Sequence, residues 1–143
     1  MTRFAAGLAL SVVVLSTLSG CGKSPYCQAV EDHQVALNSL GEEKTNAAFA
    51  RYETAFRAVA NVAPDEVRKD WIKLVDVING VLTAQRSAGI TMDDMSSTNK
   101  KLATLPEDKL KALNVAYEAF NNTQTERKSV VKNVKDECQI TLS

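Results

Sequence analysis

The chain has 143 residues, a one-domain length, and carries 17 Lys plus Arg against 17 Asp plus Glu. That balance supplies no whole-chain field to recruit nucleic acid or an acidic substrate. Glycine and aromatic residues are few, only 3 prolines interrupt, and Ala, Val, Leu, Lys and Glu dominate, which favours helices over a sandwich or barrel.

The N-terminus reads as an export signal. Arg3 supplies a short positive region, and residues 4–18 are mostly apolar. This run is short of the roughly 20 residues that a transmembrane helix needs. It closes on Leu18-Ser19-Gly20-Cys21, which resembles the lipobox of bacterial lipoproteins. In that family the cysteine thiol is diacylglycerylated and the chain is cut before it. The resemblance implies a signal peptide over 1–20, a lipidated tether over 21–24 anchored at Cys21, and a helical domain over 25–143 on the extracytoplasmic face of the cell membrane. Two or three acyl chains anchor firmly, at about 0.8 kcal/mol per buried CH₂.

With Cys21 committed to lipid, Cys27 and Cys138 remain. Export places them in an oxidising compartment, where they are expected to form a disulfide joining the first and last helices. The rivals are a metal site, for which two cysteines and one histidine are too few, and a reactive thiol pair, which lacks the C-x-x-C spacing.

From the tether onward, Ser24-Pro25 opens a helix with a hydroxyl cap and a proline at the first helical position. Tyr26, Cys27, Val30, Gln34, Leu37 and Leu40 form its apolar stripe, and Gly41 is expected to end it. A second helix starts near Thr45, with Phe49, Tyr52, Phe56 and Val59 on one face. Pro64 opens a third, with Asp65 and Glu66 in its first turn and the best stripe of the chain: Val67, Trp71, Leu74, Val75, Ile78, Val81 and Leu82. Gly80 lies inside that helix, where close packing or a bend is expected, and Gly89 ends it. Residues 90–103 are polar and show no clear period, with room for a single turn after Thr91. Thr104-Leu105-Pro106-Glu107 has capping-box spacing. The last helix carries Leu110, Leu113, Tyr117, Phe120, Val130, Val131, Val134 and Cys138, with a weak point at Asn121-Asn122-Thr123.

Together these predict an all-α fold, an up-and-down four-helix bundle. An even helix count brings the first and last helices' outer ends together, as a Cys27–Cys138 bond requires. Cys21 lies six positions before Cys27, a reach of roughly 20 Å at most. The stapled end therefore faces the membrane together with the Ala63-Pro64 turn, and residues 90–103 face away as the first candidate for meeting a partner.

Chemistry is sparse. His33 is the only histidine and is expected at a boundary position. No nucleophile elbow, Walker or dinucleotide motif is present. Asp93-Asp94 with Ser96, Ser97 and Asn99 is oxygen-rich but lacks the spacing, central glycine and final glutamate of a calcium loop. Glu42-Glu43 and Asp136-Glu137 suit solvated turns or helix ends, and Asn121-Asn122-Thr123 matches a glycosylation sequon.

The stretch from Val62 through Pro64-Asp65-Glu66 to Trp71, with a cysteine near each end of the domain, resembles small secreted lipoproteins of high-GC Gram-positive bacteria. The resemblance implies location and a helical fold, with no activity attached. The expectation is a membrane-anchored, non-catalytic interaction or cell-envelope module, without cofactor, metal or nucleic-acid partner, its envelope partner unidentified. The alternative is a lipoprotein binding a small apolar ligand between its helices, lined by Tyr52, Trp71 and Tyr117.

Overall fold

In the computed structural model, residues 22–95 and 100–143 are described; the lipobox, with Cys21, lies outside them. Seven α-helices follow in order: α1 (Pro25–Asp32), α2 (Gln34–Asn38), α3 (Asn46–Val62), α4 (Asp65–Ala88), α5 (Lys100–Ala103), α6 (Glu107–Asn121) and α7 (Gln124–Cys138), with a 3₁₀ turn at Asp93–Met95 before α5. No strand occurs among the described residues.

Most boundaries follow from local chemistry. The Ser24 hydroxyl accepts the Cys27 N–H at 3.2 Å and Pro25 starts α1. Thr45 does the same for α3, accepting from Ala48 N–H at 3.1 Å. At the end of α4, Gly89 takes φ +67°, its N–H bonds the Arg86 carbonyl, and the Ile90 N–H reaches back to the Gln85 carbonyl. This is a Schellman cap, which needs a residue free to adopt left-handed backbone.

Three expectations are corrected. The first helix does not run unbroken to Gly41: it is interrupted at His33 (φ −109°, ψ 7°) and stops at Asn38. Gly41, at φ +87°, serves the turn that follows. Thr104 forms no capping box. Its hydroxyl donates to the Lys101 carbonyl at 2.9 Å, and α6 begins only after Pro106, so Glu107 is its first residue and acts with Asp108 on the helix dipole. Residues 90–103 hold the turn expected after Thr91, at Asp93–Met95, and add a second short helical piece at Lys100–Ala103, with Ile90 and Met92 buried. Finally, Gly80 packs closely against nothing: a Cβ built there meets no atom within 4 Å. Gly80→Ala is accordingly expected to stabilise the domain by about 0.5–1 kcal/mol, because alanine loses less backbone entropy in a helix interior. Thermal unfolding checks this, with an expected rise in Tm of about 2–4 °C.

The weak point in the last helix is a true break between α6 and α7. Thr123 is fully buried there, its hydroxyl donating to the Phe120 carbonyl at 2.8 Å and accepting from Arg127 Nε at 2.9 Å.

α4 is the axis of the core, packing against α3, α6 and α7, while α1 and α2 lie on α3 and α1 also touches α7. Trp71, Leu74, Ile78 and Val81 of its predicted stripe are fully buried or nearly so. Trp71 meets the Phe56 ring edge-on at 5.4 Å and donates Nε1–H to Tyr26 Oη at 3.2 Å, which donates onward to Asn133 Oδ1 at 2.9 Å. Burial raises the Tyr26 pKa, with the Trp71 bond acting the other way. The Cys27–Cys138 disulfide is formed, its Cα atoms 5.2 Å apart. Past it, Gln139 turns the chain at φ +59°. Leu142 is buried, and Ser143 bonds Asn38 through N–H to Oδ1 at 3.0 Å and through its hydroxyl to the carbonyl oxygen at 3.3 Å.

Candidate functional site

A step between two helices of unequal length lies close to a broad concavity. α3 and α4 meet at the Ala63-Pro64 turn, but α4 has 24 residues against 17 for α3. At 1.5 Å per residue α4 outruns its partner by about 10 Å. Its far end is flanked by α6, held by a Lys109 Nζ to Ser87 Oγ bond at 3.0 Å. The chain leaving α4 folds back over the step. Asn46 Oδ1, at the first residue of α3, accepts the Met92 N–H at 2.7 Å and pins it there.

Beneath Met92 lies a polar pin. Gln85 is wholly buried and donates Nε2–H to Tyr117 Oη at 2.7 Å, while both groups point at the Met92 sulfur. The Gln85 Oε1 has no hydrogen-bond partner. Burial pushes the Tyr117 pKa up, and the Gln85 bond opposes it.

The result is an open groove of about 970 Å³ between the turn after α2, the Met92–Met95 turn and the α6–α7 junction. Its apolar surface comes from Leu40, Phe49, Met92, Met95, Tyr117 and Phe120. The Phe49 and Phe120 rings lie 5.4 Å apart. Glu42, Lys44, Asn121 and Arg127 supply the polar margin. Arg127 lies over the Phe120 ring with its guanidinium carbon 4.8 Å from the centroid.

No family model, curated protein or solved structure matches the chain.

Of the three aromatic residues expected from sequence to line a ligand site, Tyr117 lines this groove. Tyr52 does not: it is wholly buried, and its hydroxyl bonds the Ser39 carbonyl and so braces the turn after α2. Trp71 is also wholly buried and borders a separate void of about 70 Å³ beside Leu142. His33 is half-buried at the α1–α2 break. Among the described residues no group of three or more His, Cys, Asp or Glu can hold a metal ion. Asp94 Oδ2 accepts from the N–H and hydroxyl of Thr91, whereas Ser96, Ser97 and Asn99 lie outside the described residues. Glu43 pairs with Arg51 at 2.5 Å and Asp136 with Lys132 at 2.5 Å, both on the surface. No described helix is long and apolar enough to cross a membrane.

Arg127 and Met92 were not singled out from sequence. For Arg127 a signal exists. The last stripe jumps from Phe120 to Val130, and Thr123 and Arg127 fill the gap at three- and four-residue steps on the same face.

At the other end, a cleft of about 400 Å³ is lined by Ser24, Pro25, Tyr26, Ala63, Pro64, Arg68 and Glu137, among others. The start of the described chain, the α3–α4 turn and the disulfide region thus share one end. Arg68 closes that turn by donating Nε and Nη2 to the Ala63 carbonyl at 3.0 and 2.6 Å.

Proposed function

We propose that the chain is an extracytoplasmic lipoprotein, anchored in the cell membrane through acylated Cys21, that serves as a non-catalytic interaction or cell-envelope module. The observation carrying this is the Cys27–Cys138 bond, which belongs in an oxidising compartment and lies a few residues beyond the lipobox-like Leu18-Ser19-Gly20-Cys21. The Ser24 cap and the Lys23–Glu31 ion pair support a short, held tether. On this reading the stapled end faces the bilayer and the groove faces away. The helices group as four legs of an up-and-down bundle, α1 with α2, then α3, α4, and α6 with α7. The packing of α4 on α3, α6 and α7 and of α1 on α3 and α7 supports that grouping.

Metabolic labelling with an alkyne-bearing palmitate tests the anchor. The wild-type chain is expected to take up label and enter the detergent-rich phase on Triton X-114 separation, and Cys21→Ala to do neither. An unlabelled wild-type chain in the aqueous phase would sink the proposal.

A second reading is favoured by the groove itself: a binding site for a small apolar or amphipathic ligand. Its volume lies at the upper end of the about 300–1,000 Å³ usual for such sites, and aromatic and thioether walls with a few polar groups are their usual lining. Tyr117 is the one residue shared with the sequence-based expectation.

A further inference from the structure

Among the described residues, Arg127 is a cation without a counter-ion. None of the ion pairs among the described residues uses it. It is half-buried at the groove's inner edge, where desolvation lowers its pKa, although a guanidinium stays charged at neutral pH. Two of its five N–H donors are engaged, Nε–H on Thr123 Oγ1 at 2.9 Å and one on Nη2 with the Phe120 carbonyl at 3.4 Å. Partly buried charges are ordinarily paired, and here the groove side offers Phe120 and Phe49 while Asn121, Asn122, Gln124 and Thr125, all uncharged, share a second cleft with Arg127. Lys44 and Glu42 also line the groove, both exposed and of opposite charge.

We propose that the groove binds an anionic single-chain amphiphile, its tail along Phe49, Met92, Met95 and Tyr117 and its carboxylate or phosphate head on Arg127. This rests on the ligand-binding reading of the groove. An apolar trough ending at one unpaired, preorganised fork matches that ligand class, since a guanidinium bonds carboxylate or phosphate oxygens two at a time. The head group has two sources, a free fatty acid or a lysophospholipid.

The test uses the full chain carrying Cys21→Ser, so that no acyl group of its own competes. Dodecanoate, dodecyl phosphate and dodecanol are titrated calorimetrically, and a diazirine-bearing dodecanoate is photocrosslinked and mapped by mass spectrometry. At least one anion is expected to bind about 10-fold or more tighter than dodecanol, with crosslinks in residues 92–95 or 117–120. Preference for dodecanoate points to a fatty acid, and preference for dodecyl phosphate to a lysophospholipid; either supports the proposal. Arg127→Met should erase the preference while leaving dodecanol affinity within about threefold, and Arg127→Lys should keep part of it. Arg127 also braces the α6–α7 junction, so Met95→Asp serves as the second variant. A carboxylate on the half-exposed turn should weaken both anions about 10-fold or more with circular dichroism unchanged. Equal binding of anion and alcohol, with crosslinks in the groove, overturns the head-group site and leaves the apolar-ligand reading standing. Crosslinks elsewhere, or none, overturn both.

Discussion

Replacing Cys27 and Cys138 together by alanine is expected to lower stability by about 2–5 kcal/mol, toward the upper end because the closed loop is long. The bond joins positions 111 apart in sequence, and the chain-entropy model gives about 4.7 kcal/mol for a loop on the order of 100 residues. Small domains have about 5–15 kcal/mol in all, so the loss is a large share. It should also be uneven. α1 has 8 residues and α2 only 5, too few to hold a helix alone. Their packing is against α3 and, for α1, α7. Urea denaturation gives the size of the effect, and hydrogen exchange gives its place. Amides of α1 and α2 should lose protection before those of α4. Unchanged stability in the double variant would mean that packing alone holds the two ends together.

Trp71→Ala is expected to cost about 3–5 kcal/mol, the range for emptying a large aromatic site in a packed core. Trp71 is wholly buried, sits edge-on to Phe56 and begins the relay through Tyr26 to Asn133 that ties α4, α1 and α7 together. Trp71→Phe separates volume from polarity. It keeps most of the packing but removes the Nε1–H, leaving Tyr26 Oη to donate to Asn133 without accepting from Trp71, and should cost about 1–3 kcal/mol. Trp71 is the only tryptophan, so circular dichroism rather than intrinsic fluorescence must follow unfolding. Equal losses for Ala and Phe would assign the site's worth to the hydrogen bond alone.

Much of the fold was legible because its causes are local. Ser24, Thr45, Pro64 and Gly89 set helix ends through bonds or dihedral limits that span a few residues. The α4 stripe was readable because one repeated spacing places every large side chain on one face. Local signals misled where two competed. Thr104 had a cap's spacing from Glu107, but Pro106 between them begins the helix two residues later. Gly80 suggested a tight neighbour, yet open space lies beside it. Tyr52 and Trp71 looked like ligand-lining candidates because an aromatic stripe residue has the same spacing whether it faces a cavity or a packed core. Their complete burial and their hydrogen bonds within the fold distinguish the two only in three dimensions.

By itself the sequence determined the helical class, the starts of α1, α3 and α4, the core stripes and the pairing of Cys27 with Cys138, since each follows from periodicity, capping chemistry or cysteine arithmetic. Only the tertiary structure decided where the concavity lies. The groove arises from the fold-back of Met92 onto Asn46, the approach of Phe49 to Phe120, and the α6–α7 break that brings Arg127 beside Phe120. The first two join residues far apart in the chain, which no local pattern records, whereas Arg127 and Phe120 share one helix-spaced face.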